Sequence, residues 1–227
     1  MPLQNPKVPR TVLRPVKKPR LAAKRTIRGE RSDERRELIV RMASQLFLKK
    51  GYDNVSINEI IELVGGSKAT IYAWFGGKEG LFEAVVTQLC QEVTLGIDVD
   101  KTGTIEEQLV RIGRSFLELV LSPRILEFHR LMVSIGRTFP GAGRLFFETG
   151  PASAYKIVAA WIEHHQKSGA LISADPYRLA VLYLDMLISE NQLGWLTSMP
   201  RAARPEKIRE TADIAARIFL HGCAGRI

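Results

Sequence analysis

The stretch Gly65-Gly66-Ser67-Lys68-Ala69-Thr70-Ile71-Tyr72-Ala73-Trp74-Phe75-Gly76-Gly77-Lys78-Glu79-Gly80-Leu81 decides how this chain is read. Two glycine pairs bracket a segment of about two helical turns, and Ser67 stands where a hydroxyl would cap its first free N–H groups. Ile71 and Phe75, four apart, mark its inward face. Upstream, Ser56 caps a helix with Ile57, Ile60, Ile61 and Val64 at i, i+3, i+4 and i+7, which Gly65 and Gly66 break. An earlier helix carries Ile39, Met42, Ala43, Leu46 and Phe47 as one stripe and ends at Gly51. Downstream, Lys78 and Glu79 open a fourth helix with Leu81, Phe82, Val85, Val86 and Leu89 turned inward.

Two short helices joined by a tight glycine turn are the outline of a helix-turn-helix, whose second helix enters a major groove, but a plain core corner has the same outline. The residue detail separates the two. With Ile71 and Phe75 as anchors, Lys68, Ala69, Thr70, Tyr72 and Trp74 fall largely off the core face. Large aromatics beside a lysine and a threonine suit phosphates, sugars and thymine methyls better than they suit bare solvent.

Residues 35 to about 93 resemble the N-terminal domain of the TetR family of bacterial transcription regulators. The resemblance runs through Arg36 to Gly51-Tyr52, Ser56-Ile57 with Ile60, and the whole of Gly65 to Leu81. It implies phosphate contacts for Ser56, Tyr72 and Lys78, and places near base edges or backbone for Lys68, Ala69, Thr70 and Trp74; Ser67, the cap of that helix, completes the expected DNA-binding set. Two positions depart from the family pattern. Gly66 replaces a small apolar residue, which predicts a looser corner, and Gly77 replaces a polar cap, a role that glycine also fills.

From about Thr104 onward the periodicity predicts further helices over 104–121, 123–136, 143–168, 175–197 and 205–221, several with a proline as start signal. No stretch alternates as a half-buried strand does. The expectation is an all-α protein of about nine helices: residues 1–32 a disordered basic arm, 33–93 a three-helix DNA-binding domain with its following helix, and 94–227 an effector-binding and dimerisation domain. Residues Ser122 to Trp195 resemble the AefR-like C-terminal domain of some TetR-family members, through Pro123-Arg124, Arg137-Thr138-Phe139-Pro140, Phe146 to Pro151, Gly169-Ala170-Leu171 and Asp175-Pro176.

Recognition helices of this kind work in pairs, so a dimer surface is expected. The 175–197 helix is apolar on nearly all sides and must be covered on nearly all sides. Leu179, Leu182, Met186, Leu193 and Trp195, with Ile208, Ala215 and Phe219 of the last helix, are the candidate interface; a central core helix within one subunit is the alternative. Phe116, Phe128, His129, Met132, Trp161, His165 and Tyr183 interrupt apolar faces and are candidates for an effector pocket, with plain core packing as the alternative. His164 and His165 are adjacent, so they do not form a metal pair at i, i+4 spacing.

Other classes find little support. There is no phosphate-binding P-loop, since Glu79 follows Gly76-Gly77-Lys78, and no G-x-S-x-G, H-E-x-x-H or G-x-G-x-x-G motif, so neither an enzyme nor a cofactor or metal is expected. Cys90 and Cys223 read as reduced thiols, and no apolar run is of membrane-spanning length. A cytoplasmic, nucleoid-associated homodimeric repressor is expected, with an operator duplex, its own copy and a small-molecule effector as partners and no membrane. A nucleoid or RNA-binding protein that uses the basic arm is the rival class.

The formal charge of +9 resides in residues 1–32, which hold ten Lys or Arg against Glu30; residues 33–96 hold seven bases and nine acids. A DNA-binding unit of charge −2 is a weak polyelectrolyte ligand, because counterion release from phosphates supplies most non-specific affinity. The arm can supply the missing charge along the phosphates or in the minor groove; a merely solubilising extension is the alternative. Deleting residues 1–30 is expected to flatten the dependence of log K on log salt, measured by duplex titration at several salt concentrations. An unchanged slope would deny the arm a role on DNA.

Overall fold

The computed structural model describes residues 27–197 and 205–223, apart from the side chains at 27–30, 189–193, 195 and 223. Among the described residues there are ten helices and no strand: α1 (Ile27–Lys50), α2 (Ile57–Val64), α3 (Lys68–Phe75), α4 (Lys78–Leu95), α5 (Ile105–Val120), α6 (Pro123–Ile135), α7 (Pro140–Thr149), α8 (Pro151–Lys167), α9 (Pro176–Leu196) and α10 (Pro205–Cys223). The last five all begin with proline, whose missing N–H costs nothing in the first turn and whose fixed φ suits it.

Two boundaries differ from the sequence expectation. The segment expected as one helix over 143–168 is two, α7 and α8, because Gly150 leaves the helical region at φ −97° and ψ −95° and Pro151 cannot continue the hydrogen-bond ladder. The first helix starts at Ile27 rather than Asp33, so residues 27–32, expected in the arm, are helical. Prolines, basic charge and missing periodicity define that arm, but its last proline is Pro19, and Arg28, Glu30 and Arg31 beyond it are good helix formers. Residues 1–26 of the expected arm lie outside the described residues.

Local chemistry closes the helix ends. Thr104 and Glu107 form a reciprocal capping box at the start of α5, and the Ser122 hydroxyl accepts from the Ile125 N–H at the start of α6. The helices α1, α2 and α3 gather around the first half of α4 through Ile39, Ala43, Phe47, Ile60 and Ile71 on one side and Leu81, Phe82 and Val85 on the other. The second half of α4 lies against α7 and α8, and α5 with α10 and α8 with α9 form the closest pairs of the C-terminal body. One continuous apolar core runs through both halves. No helix among the described residues is long and apolar enough to cross a membrane.

At Gly113, α5 approaches α9 closely. The buried Tyr183 hydroxyl donates to the Leu109 carbonyl at 2.7 Å, and a Cβ on Gly113 would lie 2.6 Å from that hydroxyl oxygen. Because Tyr183 is fully enclosed and its ring meets Phe219 at 5.2 Å, the hydroxyl has little room to retreat. Gly113→Ala is expected to destabilise the chain by about 1–3 kcal/mol, and Tyr183→Phe in the same chain should restore part of that loss. Thermal unfolding of the single and double variants measures it; additive losses would deny the contact.

Candidate nucleic-acid interface

Serine caps and glycine stops build the α2–α3 corner. The Ser56 hydroxyl accepts from the Glu59 N–H at 3.2 Å, and the Ser67 hydroxyl accepts from the Thr70 N–H at 3.3 Å. The Ser67 and Thr70 hydroxyls are 3.2 Å apart. Between the two helices, Gly65 and Gly66 both adopt positive φ (71° and 100°), which side chains with a Cβ rarely tolerate. The departure at Gly66 does not leave a gap. Arg35 of α1 donates from its guanidinium to the Val64 carbonyl at 3.2 Å, and a Cβ on Gly66 would stand 3.0 Å from that same Nη2. A long side chain from a neighbouring helix thus fills and ties the corner that the sequence predicted to be loose.

Helix α3 rests on the body through Ile71, which is buried, and through Phe75, whose ring lies 5.0 Å beneath the Arg36 guanidinium. Lys68, Ala69 and Tyr72 are exposed, Tyr72 to 56%, while Thr70 is half-buried beside Ser67. Trp74 was expected largely off the core face, but it is half-buried and packs against the core; three residues after Ile71, it lies on the margin of the inward face. Ser56 is exposed at the start of α2.

At the start of α4, Lys78 extends over the Tyr52 ring at 4.4 Å and donates to the Asp53 carbonyl at 3.4 Å. Partial burial lowers the Lys78 pKa, and the Asp53 charge opposes that shift. Gly80 fixes how α3 and α4 meet, because a Cβ there would fall on the Phe75 carbonyl oxygen, well inside van der Waals contact. Gly80 and Arg35 received no role from the sequence, although Gly80 stood within the decisive stretch. The signal available was a glycine in the first turn of a helix, where its cost relative to alanine calls for a packing reason.

A cavity of about 330 Å³ lies in the C-terminal half. Its walls are Leu89, Cys90 and Val93 of α4, Phe116 and Val120 of α5, Ile125, Phe128, His129 and Val133 of α6, Phe146 and Phe147 of α7, Gly150, Pro151, Ala154 and Tyr155 around the start of α8, and Ile188 and Leu196 of α9. Of the seven expected pocket residues, Phe116, Phe128 and His129 line it. Met132, Trp161, His165 and Tyr183 do not. Met132 is taken up in the packed core, and Tyr183 is held on the Leu109 carbonyl. Trp161 Nε1 donates to Gln108 Oε1 at 2.9 Å, with His165 Nε2 3.1 Å from the same oxygen, while the Gln108 amide donates to the Lys101 and Gly103 carbonyls at 3.0 Å each. That knot satisfies a buried glutamine and pins the loop before α5. Phe146, Phe147, Cys90 and Tyr155 line the cavity without having been expected there.

Residues 39–85 match the family described as bacterial regulatory proteins, tetR family, and residues 107–222, just over half of the chain, match the AefR-like transcriptional repressor C-terminal domain. The chain belongs to the TetR family. As a TetR-family member it is a DNA-binding transcriptional regulator and not an enzyme. It is 26% identical over 164 residues to the HTH-type transcriptional regulator YhgD of Bacillus subtilis, covering 70% of this chain and 83% of that protein. To RutR of Escherichia coli it is 26% identical over 172 residues, covering 66% and 72%. Among solved structures, a TetR-family regulator from Mesorhizobium loti matches with a TM-score of 0.80 at 25% identity, covering 86% of this chain and 98% of that one. The flavonoid-responsive regulator FrrA matches with a TM-score of 0.75 at 27% identity, covering 86% and 100%.

The expected dimer residues of this TetR-family chain divide by direction. Leu182 and Met186 are exposed on α9, whereas Leu179, Ile208, Ala215 and Phe219 are buried inside the subunit. Those four face α5 and its neighbours, which close over that side of α9 and α10. The side chains of Leu193 and Trp195 lie outside the described residues. On α10, Ile218, which the sequence also offers for the interface, is exposed, and so is Ile214 one turn before it.

The α3–α4 junction makes a direct test. Gly80→Ala is expected to cost about 1–3 kcal/mol, because a backbone carbonyl cannot yield as a side chain can, and to weaken duplex binding with helicity largely kept. Thermal unfolding and fluorescence anisotropy read the two effects. Wild-type stability together with wild-type affinity would show the junction to be compliant.

Proposed function

We propose that this TetR-family chain is a repressor that binds a palindromic operator as a homodimer and is released when a small molecule occupies the cavity behind α4. The observation that carries the reading is the outward face of α3, where Tyr72 stands in solvent beside Lys68 and Ala69 on a helix anchored by Ile71. Ser56, Ser67 and Thr70 flank that face, Trp74 lies at its margin, and Lys78 adds a cation at the start of α4. In this reading Tyr72, Ser56 and Lys78 hold phosphates, and Lys68, Ala69 and Thr70 approach base edges.

A single α3 spans too few base pairs for useful specificity, which favours two copies about one turn of duplex (~34 Å) apart. Leu182, Met186, Ile214 and Ile218 offer apolar surface on α9 and α10 for such a pairing. Release follows from α4, which contributes Leu89, Cys90 and Val93 to the cavity and Lys78 and Gly80 to the DNA end. A ligand that binds better to one α4 position shifts the spacing of the two recognition helices. The C-terminal match to a repressor domain supports repression over activation. Domain limits of about 33–93 and 94–227 fit this division of labour, with the cytoplasm as its place of action.

Selection of bound duplexes from a random pool tests the reading. A palindrome bound at least ~10³-fold tighter than random duplex is expected. Tyr72→Ala and Lys78→Ala should weaken binding on every sequence, while Thr70→Ser should change base preference, and Leu182→Glu with Ile218→Glu should yield monomers that lose the palindrome. Sequence-indifferent binding would favour a nucleoid or RNA-binding role instead.

A further inference from the structure

The cavity behind α4 has a definite chemistry. Among the described residues its lining contains no Asp, Glu, Lys or Arg. Three titratable groups remain, and each is neutral near pH 7. Burial pushes the Cys90 thiol up to about 11, and burial pushes the His129 imidazole down to about 4. Burial also raises the Tyr155 phenol, which donates to Asp185 Oδ1 at 2.9 Å.

The rest of the wall is aliphatic or aromatic. Phe146 meets both Phe128 and His129 edge to face, with centroids 5.4 and 5.5 Å apart, so rings at right angles form one corner of the cavity. Two apolar side chains at the rim stand in water, Val133 of α6 at 71% exposure and Phe147 of α7 at 55%. Neither is buried in the subunit core, and together they mark a mouth between α6 and α7. An ionised ligand entering here would lose its hydration shell and meet no counter-charge among the described walls. A volume of about 330 Å³ lies near the small end of the range for small-molecule sites, roughly 300–1,000 Å³.

From these walls we propose that the cavity takes uncharged, flat aromatic molecules of two or three rings, admitted between Val133 and Phe147, and excludes their anionic counterparts. This specificity rests on the effector-binding role proposed above and names the class of effector for that same site.

Two fluorophores with one ring framework test it: N-phenyl-1-naphthylamine, which is neutral, and 8-anilinonaphthalene-1-sulfonate, which adds a sulfonate. Titrated into the full chain without DNA, the neutral probe is expected to bind at least ~10-fold tighter. Ala154→Phe, inside the cavity, and Val133→Trp, at the exposed rim where folding is little at risk, should each weaken the neutral probe by at least ~10-fold with circular dichroism unchanged. Equal or tighter binding of the sulfonate, or neutral-probe binding indifferent to Val133→Trp in folded protein, overturns the proposal. Operator occupancy is followed separately. Selective neutral-probe binding that leaves the operator bound supports the ligand class and counts against the release mechanism, whereas displacement of the operator by the sulfonate through this cavity counts against the class alone.

Discussion

The eighteen residues of α4 serve two cores at once, and the rest of the molecule depends on that sharing. At its start, Gly80 lets the helix touch the Phe75 carbonyl, so the end of α3 has no freedom to drift. About three turns later Leu89, Cys90 and Val93 form a wall of the cavity. A helix is stiff along its axis because every turn is hydrogen-bonded to the next. One rigid element thus joins the cavity wall to the α3 junction.

Two further ties bind the halves. Arg124, in the first turn of α6, reaches the buried Ser44 hydroxyl of α1 at 3.3 Å and Glu92 of α4 at 3.2 Å. Because α6 also carries Phe128 and His129 into the cavity, one helix touches the cavity, the DNA-binding unit and α4. The second tie is aromatic. Phe139, at the start of α7, packs on Tyr52 and Phe82 at 5.7 and 6.2 Å, and Tyr52 in turn carries the Lys78 ammonium over its ring. These contacts are closely packed and individually modest.

Much of the DNA end was legible because its signals are local. Ser56 and Ser67 as caps, the glycines as stops and Ile60 and Ile71 as anchors obey rules that act within four residues. The split of 143–168 at Gly150-Pro151 is equally local, but the apolar periodicity that runs across it masks the break. Gly66 shows the opposite case. Its neighbours along the chain predict a loose turn, whereas Arg35, about thirty residues away, fills the space. Nothing within the turn carries that information.

Sequence alone determined that this chain has an all-α fold, where most helices start and stop, and that an α3-like helix presents Lys68, Ala69 and Tyr72. Periodicity at 3.6 residues and capping chemistry need no partner in order to be read. Only the tertiary structure decided what each apolar face meets. Along α9 and α10, Leu179 and Phe219 turn into the subunit while Leu182 and Ile218 turn out of it. Likewise Phe128 and His129 open on a cavity while Trp161 and His165 close around Gln108. A stripe of apolar side chains specifies burial, not the surface that provides it, because the hydrophobic effect has no direction.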